Sequence, residues 1–345
     1  MPSSLGTAAV ATLPQGPCEG GTSDDGIGNF VLEWTVDNNR TFPGYAFFTV
    51  QNGNAVEIGE RNYGSDSGQS IFFSQPSGFT KISSNEIFDY RTLTHWTHDG
   101  ALSKTIALDG RSEFYGSAAA IGVEPAGGTV VVVSRKVAGP GWDNVFTRYD
   151  KSGTFESNVP IDDAALKRVS SIGVDLAGHA LVLAYDTTAG SGTVARWFDH
   201  SGGPLTGWFP ALPANEFNFL MDGSLVTRGG SPLTTHGPAP TNHVMVRYQD
   251  GQSTPGAPPD WLQARGANRI YVIRNGKGYA SWGSGGSCGG ALEVLAVSGK
   301  SCGCVSVPGL SAYSSVGRDG SLIVPGGSSA PAPQCAYALY PQLLK

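Results

Sequence analysis

A chain of 345 residues with 49 Gly and 22 Pro dispersed along it, 40% hydrophobic and only 14% charged, reads as many short strands joined by tight turns. Its net charge of −6, from 22 basic and 28 acidic side chains with no run of Lys or Arg, excludes the electrostatic footprint of a nucleic-acid or anionic-membrane binder. No apolar stretch approaches the roughly 20 residues that span a bilayer; the most apolar run, Val130 to Val133, is strand-sized.

The N-terminus, Met1-Pro2-Ser3-Ser4, lacks the basic and apolar regions of a signal peptide, so an exported form would already have lost its signal. An apolar strand follows at Thr7 to Leu13. Two interleaved series of glycines then mark out the rest of the chain. One runs Gly53, Gly100, Gly153, Gly202, Gly251, Gly299, and the other Gly28, Gly78, Gly127, Gly178, Gly223, Gly276, Gly320, each recurring every 44–53 residues. A glycine in a tight hairpin supplies the positive φ that the turn requires, so two hairpins, and hence four strands, are expected per period.

The clearest repeat reads as strands at Ser171 to Val174, Ala180 to Tyr185, Val194 to Phe198 and Pro204 to Phe209, with turns at Asp175 to Gly178 and Ser201-Gly202. Helical periodicity is confined to one turn's worth at Asp162 to Arg168. A lone four-stranded sheet exposes both faces until neighbours stack on it, which predicts an all-β fold, a single seven-bladed β-propeller of four antiparallel strands per blade. One domain is expected over 1–345, with blades near 17–60, 71–108, 118–161, 170–212, 216–262, 268–307 and 313–345. The last period is a strand short, and 7–13 is expected to pair beside Cys335 to Tyr340 and close that blade.

The pattern Arg148-Tyr149-Asp150, Arg196-Trp197-Phe198-Asp199 and Arg247-Tyr248, placed on outer strands, resembles the repeat of NHL and WD40 propellers. The chain's end, from Leu292-Glu293-Val294 through Cys302-Gly303 and Gly317-Arg318-Asp319-Gly320 to Cys335 and Tyr340-Pro341, looks like the tail of uncharacterised exported bacterial propeller proteins. The resemblance implies an architecture and no activity.

Five cysteines occur, at Cys18, Cys288, Cys302, Cys304 and Cys335. Cys302-Gly303-Cys304 has neither the spacing nor a neighbouring His for zinc, so disulfides, and a secreted, periplasmic or cell-surface location, are the expectation. Cys18 with Cys335 would lock the closing blade. Cys288 with Cys302 is the second expected pair, with Cys304 an equal substitute for Cys302.

Loops joining second to third strands, and blade to blade, emerge opposite the hairpins and by analogy with the architecture carry the site. They hold Arg61, Tyr63, Tyr90, Arg111, Glu113, Tyr115, Trp142, Asp143, Glu216, His236 and Arg265. Tyr, Trp and Arg join contact area to hydrogen-bonding ends, which suits a monomeric module that binds a glycan, peptide or partner protein. A hydrolase or lyase acting on an extracellular polymer would draw its acid and base from Glu113, Asp143, Glu216 and His236; a structural scaffold is the third reading. The six histidines form no H-x-x-x-H or H-E-x-x-H pattern, and no nucleophile elbow or sialidase Asp-box occurs. No cofactor is expected, apart from a Ca²⁺ that Asp24-Asp25-Gly26 or Ser65-Asp66-Ser67 could hold.

Overall fold

The computed structural model describes residues 8–13, 22–35, 43–63, 70–75, 78–84, 90–107, 119–124, 127–136, 142–161, 166–186, 192–212, 216–229, 244–266, 269–273, 276–283, 287–311, 314–326, 335–341 and 343–344. In chain order, β1 (Ala9–Leu13) comes first. It is followed by β2 (Ser23–Asp24), β3 (Asn29–Thr35), β4 (Pro43–Gln51) and β5 (Asn54–Tyr63), then by β6 (Ser70–Gln75), β7 (Gly78–Ser84), β8 (Tyr90–Trp96) and β9 (Leu102–Ala107). The next two groups are β10 (Ala119–Val123), β11 (Thr129–Lys136), β12 (Trp142–Tyr149), β13 (Phe155–Ile161) and β14 (Leu166–Val174), β15 (Ala180–Asp186), β16 (Thr193–Phe198), β17 (Phe209–Ala211). Then come β18 (Glu216–Phe219), β19 (Leu225–Gly229), β20 (Val244–Tyr248) and the short helix α1 (Asp260–Gln263). Last are β21 (Arg269–Ile273), β22 (Gly278–Trp282), β23 (Leu292–Ala296), β24 (Ser301–Val305), β25 (Ser315–Val316), β26 (Leu322–Pro325) and β27 (Cys335–Tyr340).

Each group pairs with itself as an antiparallel meander, the arrangement of a β-propeller blade. Six sheets have four strands; the sheet β18-β19-β20 has three among the described residues, so the expected seven four-stranded blades are met by six. After β20 the chain returns as a single bridge, Arg247 to Gly256. Pro255, Pro258 and Pro259 lack the N–H that a longer ladder would need, and α1 follows them. The expected helical turn at 162–168 is overturned at its end, because β14 begins at Leu166.

The expected closure is observed: β1 pairs antiparallel with β27, from Ala9 opposite Leu339 to Leu13 opposite Cys335. Every glycine of both turn series has positive φ. At Gly78 (φ 136°) a Cβ would also lie 2.1 Å from the carbonyl oxygen of Trp96, so a side chain is excluded twice over.

Two compact units make up the chain, Met1–Leu108 with Ala267–Lys345, and Asp109–Gly266. Within each, the core lies between neighbouring sheets. In β15, Ala180, Val182 and Ala184 pack towards β10–β12, while Leu181 and Leu183 pack with Leu225, Val246 and Tyr248 of the sheet on the other side. Such a middle strand is buried on both faces, which is why Ala-Leu-Val-Leu-Ala carries no polar alternation. In the first unit Phe47 faces Phe79 and Trp96, whereas Ala46 and Phe48 face β1 and β27. Tyr337 ties β27 to β3 by donating to the Glu33 carbonyl at 2.6 Å.

Cys288 is bonded to Cys304, not Cys302, and Cys302 is a free, exposed thiol. The register jumps from Gly303 opposite Val294 to Ser301 opposite Leu295, which leaves Cys302 unpaired at a bulge while Cys304 stays in line with Glu293. Cys335 is disulfide-bonded; its expected partner Cys18 lies outside the described residues. The Cys288–Cys304 bond closes a sequence separation of 16, so Cys288→Ser with Cys304→Ser is expected to cost about 3 kcal/mol, read from chemical denaturation.

Candidate functional site

Six of the expected site residues fall at strand ends remote from the tight hairpins. Arg61 and Tyr63 end β5, Tyr90 begins β8, Trp142 and Asp143 begin β12, and Glu216 begins β18. Arg111, Glu113, Tyr115 and His236 lie outside the described residues. Arg61 is half-buried and donates to Glu57 through Nε and Nη2, at 2.9 and 2.6 Å. The backbone register sets Asp143 opposite Arg135 and Glu216 opposite Arg228. Arg265 is buried instead: it follows α1, donates to the Trp261 carbonyl and lies over the Trp261 ring at 5.9 Å.

The hairpin ends are built differently. A recurring turn has the N–H of residue i donating to the carbonyl of i+4, and the N–H of the glycine at i+3 donating back to the carbonyl of i, as at Asp150, Asp175 and Asp199. This is a type I turn closed by a left-handed glycine. In these three the carboxylate Oδ1 accepts the N–H groups of i+2 and i+4 at 2.7–2.9 Å. The Ser201 hydroxyl and these N–H groups hold the Asp199 carboxyl below the usual carboxylate range. The recurrent Asp is thus the turn's own internal ligand.

Turns of adjacent sheets are also joined to one another. In the first unit His98, in the β8–β9 turn, lies with Nδ1 2.7 Å from Asp25 Oδ2 in the β2–β3 turn. In the second, fully buried Arg148 of β12 donates to Glu124 of its own sheet and to the Gly178 carbonyl of the next. Burial brings the Arg148 guanidinium down to about 10, so it stays charged at neutral pH. Arg247 reaches its own inner turn in the same way, donating to Asp222 at 2.7 Å. Arg196 instead donates to the Thr206 carbonyl and covers the Phe198 and Trp208 rings. Arg148 and Arg196 lie on third strands with a fourth strand outside them, Arg247 lies on the last strand of its three-stranded sheet, and all three bind structure.

Asp24 is buried at the end of β2, and its carboxyl is pushed up to about 7 by burial first and then by the nearby Asp319 carboxylate. Gly317 permits this: a Cβ there would stand 2.3 Å from the Asp24 carboxyl. Asp24 Oδ1 accepts from the Gly26 N–H, and Asp25 accepts from the Ile27 and Asn29 N–H groups, the Asn29 amide and His98. A Ca²⁺ at Asp24-Asp25-Gly26 would have to displace these bonds; Ser65-Asp66-Ser67 lies outside the described residues.

The fold also assembles Asp175, His179 and Asp250, each offering one ligand atom within 4.8 Å of the others, a set that could hold a metal ion. Sequence reasoning missed it, because no short spacing joins Asp250 to the other two. A signal did exist for the His contacts: His98 and His200 both stand second in an outer turn that ends in Gly. His200 Nδ1 correspondingly lies 3.7 Å from Glu124.

Among the described residues no helix is long and apolar enough to cross a membrane. No protein-family model and no curated protein matches the chain. Among solved structures it is similar to a crystal structure of BBS1N in complex with ARL6DN, soaked with lead, at 10% identity over 97% of this chain and 98% of that one, with a TM-score of 0.50. It is also similar to an ACO/RPE65 chimera, at 10% identity over 98% and 89% with a TM-score of 0.49. The likeness to the first, together with the repeated antiparallel four-stranded sheets, shows the fold alone: the chain is an all-β propeller.

Proposed function

We propose that the protein is an extracytoplasmic recognition propeller that binds a glycan, peptide or partner protein through the loop-bearing ends of its strands, without catalysing a reaction. In this reading the sheets form one seven-bladed ring, with β18-β19-β20 an abbreviated blade, and the protein acts as a monomer. One observation carries it. At the hairpin ends Asp25, Arg148, Asp150 and Asp199 are taken up by their own turns or by a neighbouring turn, whereas Arg61, Tyr63, Tyr90, Trp142, Asp143 and Glu216 stand at the opposite strand ends. The Cys288–Cys304 bond favours an oxidising compartment.

The test is a glycan array and a peptide-display panel, screened for saturable binding and for turnover. Saturable binding that weakens roughly tenfold or more in Trp142→Ala is expected, the size of an aromatic anchor's loss. Reproducible turnover abolished by Glu216→Gln would establish the enzyme reading in its place.

A further inference from the structure

We propose that Asp175, His179 and Asp250 form a binding site for a divalent transition-metal ion, of the Mn²⁺ or Zn²⁺ kind, that clasps two neighbouring sheets of the 109–266 unit. Asp175 and His179 bracket the β14–β15 turn, and Asp250 follows β20 in the adjacent sheet. The three are spaced 4 and 71 residues apart, and the stacking of the sheets brings them together.

Three observations point to a cation. The first is the ligand set itself, one imidazole nitrogen and two carboxylates, with His179 Nδ1 2.8 Å from Asp250 Oδ2. Adjacent positions of an octahedron with bonds of about 2.1 Å are about 3.0 Å apart, so this pair could move onto one ion with little rearrangement. The second is Asp175, which is 1% exposed and spends Oδ1 on the backbone N–H groups of Ala177 and His179, while among the described residues its Oδ2 receives no hydrogen bond. A carboxylate held this deep, with one oxygen left over by its own turn, carries a desolvation cost that a metal ion would offset.

The third is charge. Two carboxylates, Asp175 and Asp250, meet the His179 imidazole here with ligand atoms within 4.8 Å of one another. Arg148 of the same unit donates instead to Glu124 and to the Gly178 and Asp199 carbonyls. A dication would neutralise both aspartates at once. The His179 and Asp250 side chains are 26% and 38% exposed, which gives the ion a path in and leaves coordination positions open to water. Imidazole with carboxylates suits Mn²⁺ and Zn²⁺ better than Ca²⁺, which takes oxygen ligands alone.

The test uses the full chain stripped with EDTA and titrated with Mn²⁺, with the electron paramagnetic resonance signal of the free ion reporting what is bound. Melting with and without Zn²⁺ is the second readout. The wild type is expected to take up one Mn²⁺ saturably and to melt higher with Zn²⁺. Asp250→Asn and His179→Gln, both partly exposed and so safer for folding than Asp175→Asn, are each expected to lose roughly tenfold or more in affinity together with the Zn²⁺-induced shift. Asp150→Asn, at a turn of the same build without the His, should bind as the wild type does. Absence of a saturable site in the wild type, or undiminished binding in either Asp250→Asn or His179→Gln, would overturn the proposal.

Discussion

Arg148→Ala is expected to destabilise the protein by about 3–5 kcal/mol, the cost of removing one partner from a buried ion pair. Arg148 is fully buried and Glu124 is 7% exposed, so the truncation strands the Glu124 carboxylate without water to replace the guanidinium. It also removes the donor to the Gly178 carbonyl, which links one sheet to the next, and empties the space beside the Phe146 ring, over which the guanidinium sits at 5.5 Å. Arg196→Ala is a useful contrast, since its guanidinium meets a carbonyl and two ring faces but no buried acid; about 1 kcal/mol is expected there. Guanidinium chloride unfolding followed by tryptophan fluorescence would measure both. A combined Arg148→Met, Glu124→Gln variant should recover part of the loss, because the uncompensated charge is gone. Equal losses in the single and double variants would mean that packing, not charge, sets the cost.

Stability is expected to fall as pH rises from about 4 to 7, with Asp24 the main source. Its folded carboxyl titrates at about 7, and an exposed aspartate in the unfolded chain titrates near 3.9. Between those values the folded state holds a proton that the unfolded state has released, so each increment of pH favours unfolding; above about 7 both states are ionised and the slope ends. A gap of about 3 pH units corresponds to a change on the order of 2–4 kcal/mol. The direction is opposite to that of Asp99 and Asp199, whose turn hydrogen bonds lower their carboxyls and give stability that is lost on acidification. Asp24→Asn keeps the shape without the proton. Melting across pH 4–7 should therefore be flatter in that variant, and an unchanged slope would remove Asp24 as the cause.

The strands and hairpins were legible because their signals are local. A turn glycine needs positive φ wherever the rest of the chain goes, and a strand buried on both faces must be apolar throughout, as Ala180 to Ala184 is. Outer strands were harder to read. The expected strand from Pro204 to Phe209 survives as a single bridge from Pro204 to Phe198 and a short β17, because the Thr206 carbonyl and hydroxyl instead accept from the Arg196 guanidinium and the Trp197 N–H. In the next sheet the fourth strand is reduced to the single Arg247 to Gly256 bridge, beside Pro255, Pro258 and Pro259. The repeated Arg148, Arg196 and Arg247 were visible as a pattern, but their roles depend on whether the inner turn offers Glu124, no acid contact, or Asp222.

Cysteine pairing turned on a bulge that spacing does not reveal, since Cys302 and Cys304 look interchangeable in sequence. The candidate metal ligands and the His98–Asp25 contact join residues 71 and 73 positions apart, and only the stacking of sheets specifies them. Arg61, Tyr63, Tyr90, Trp142, Asp143 and Glu216 could be placed at strand ends from topology alone, because hairpins and long connections alternate along a meander, whereas Arg265 follows α1.

The proposed division between bonded hairpin ends and recognising loop ends is most directly tested by hydrogen–deuterium exchange of the protein with and without a saturating ligand found in the binding screen. Protection is predicted around Arg61 to Tyr63, Tyr90 and Trp142-Asp143, with the turns 97–101, 150–154 and 199–203 unchanged. Protection confined to those turns, with the loop ends unaffected, would contradict it.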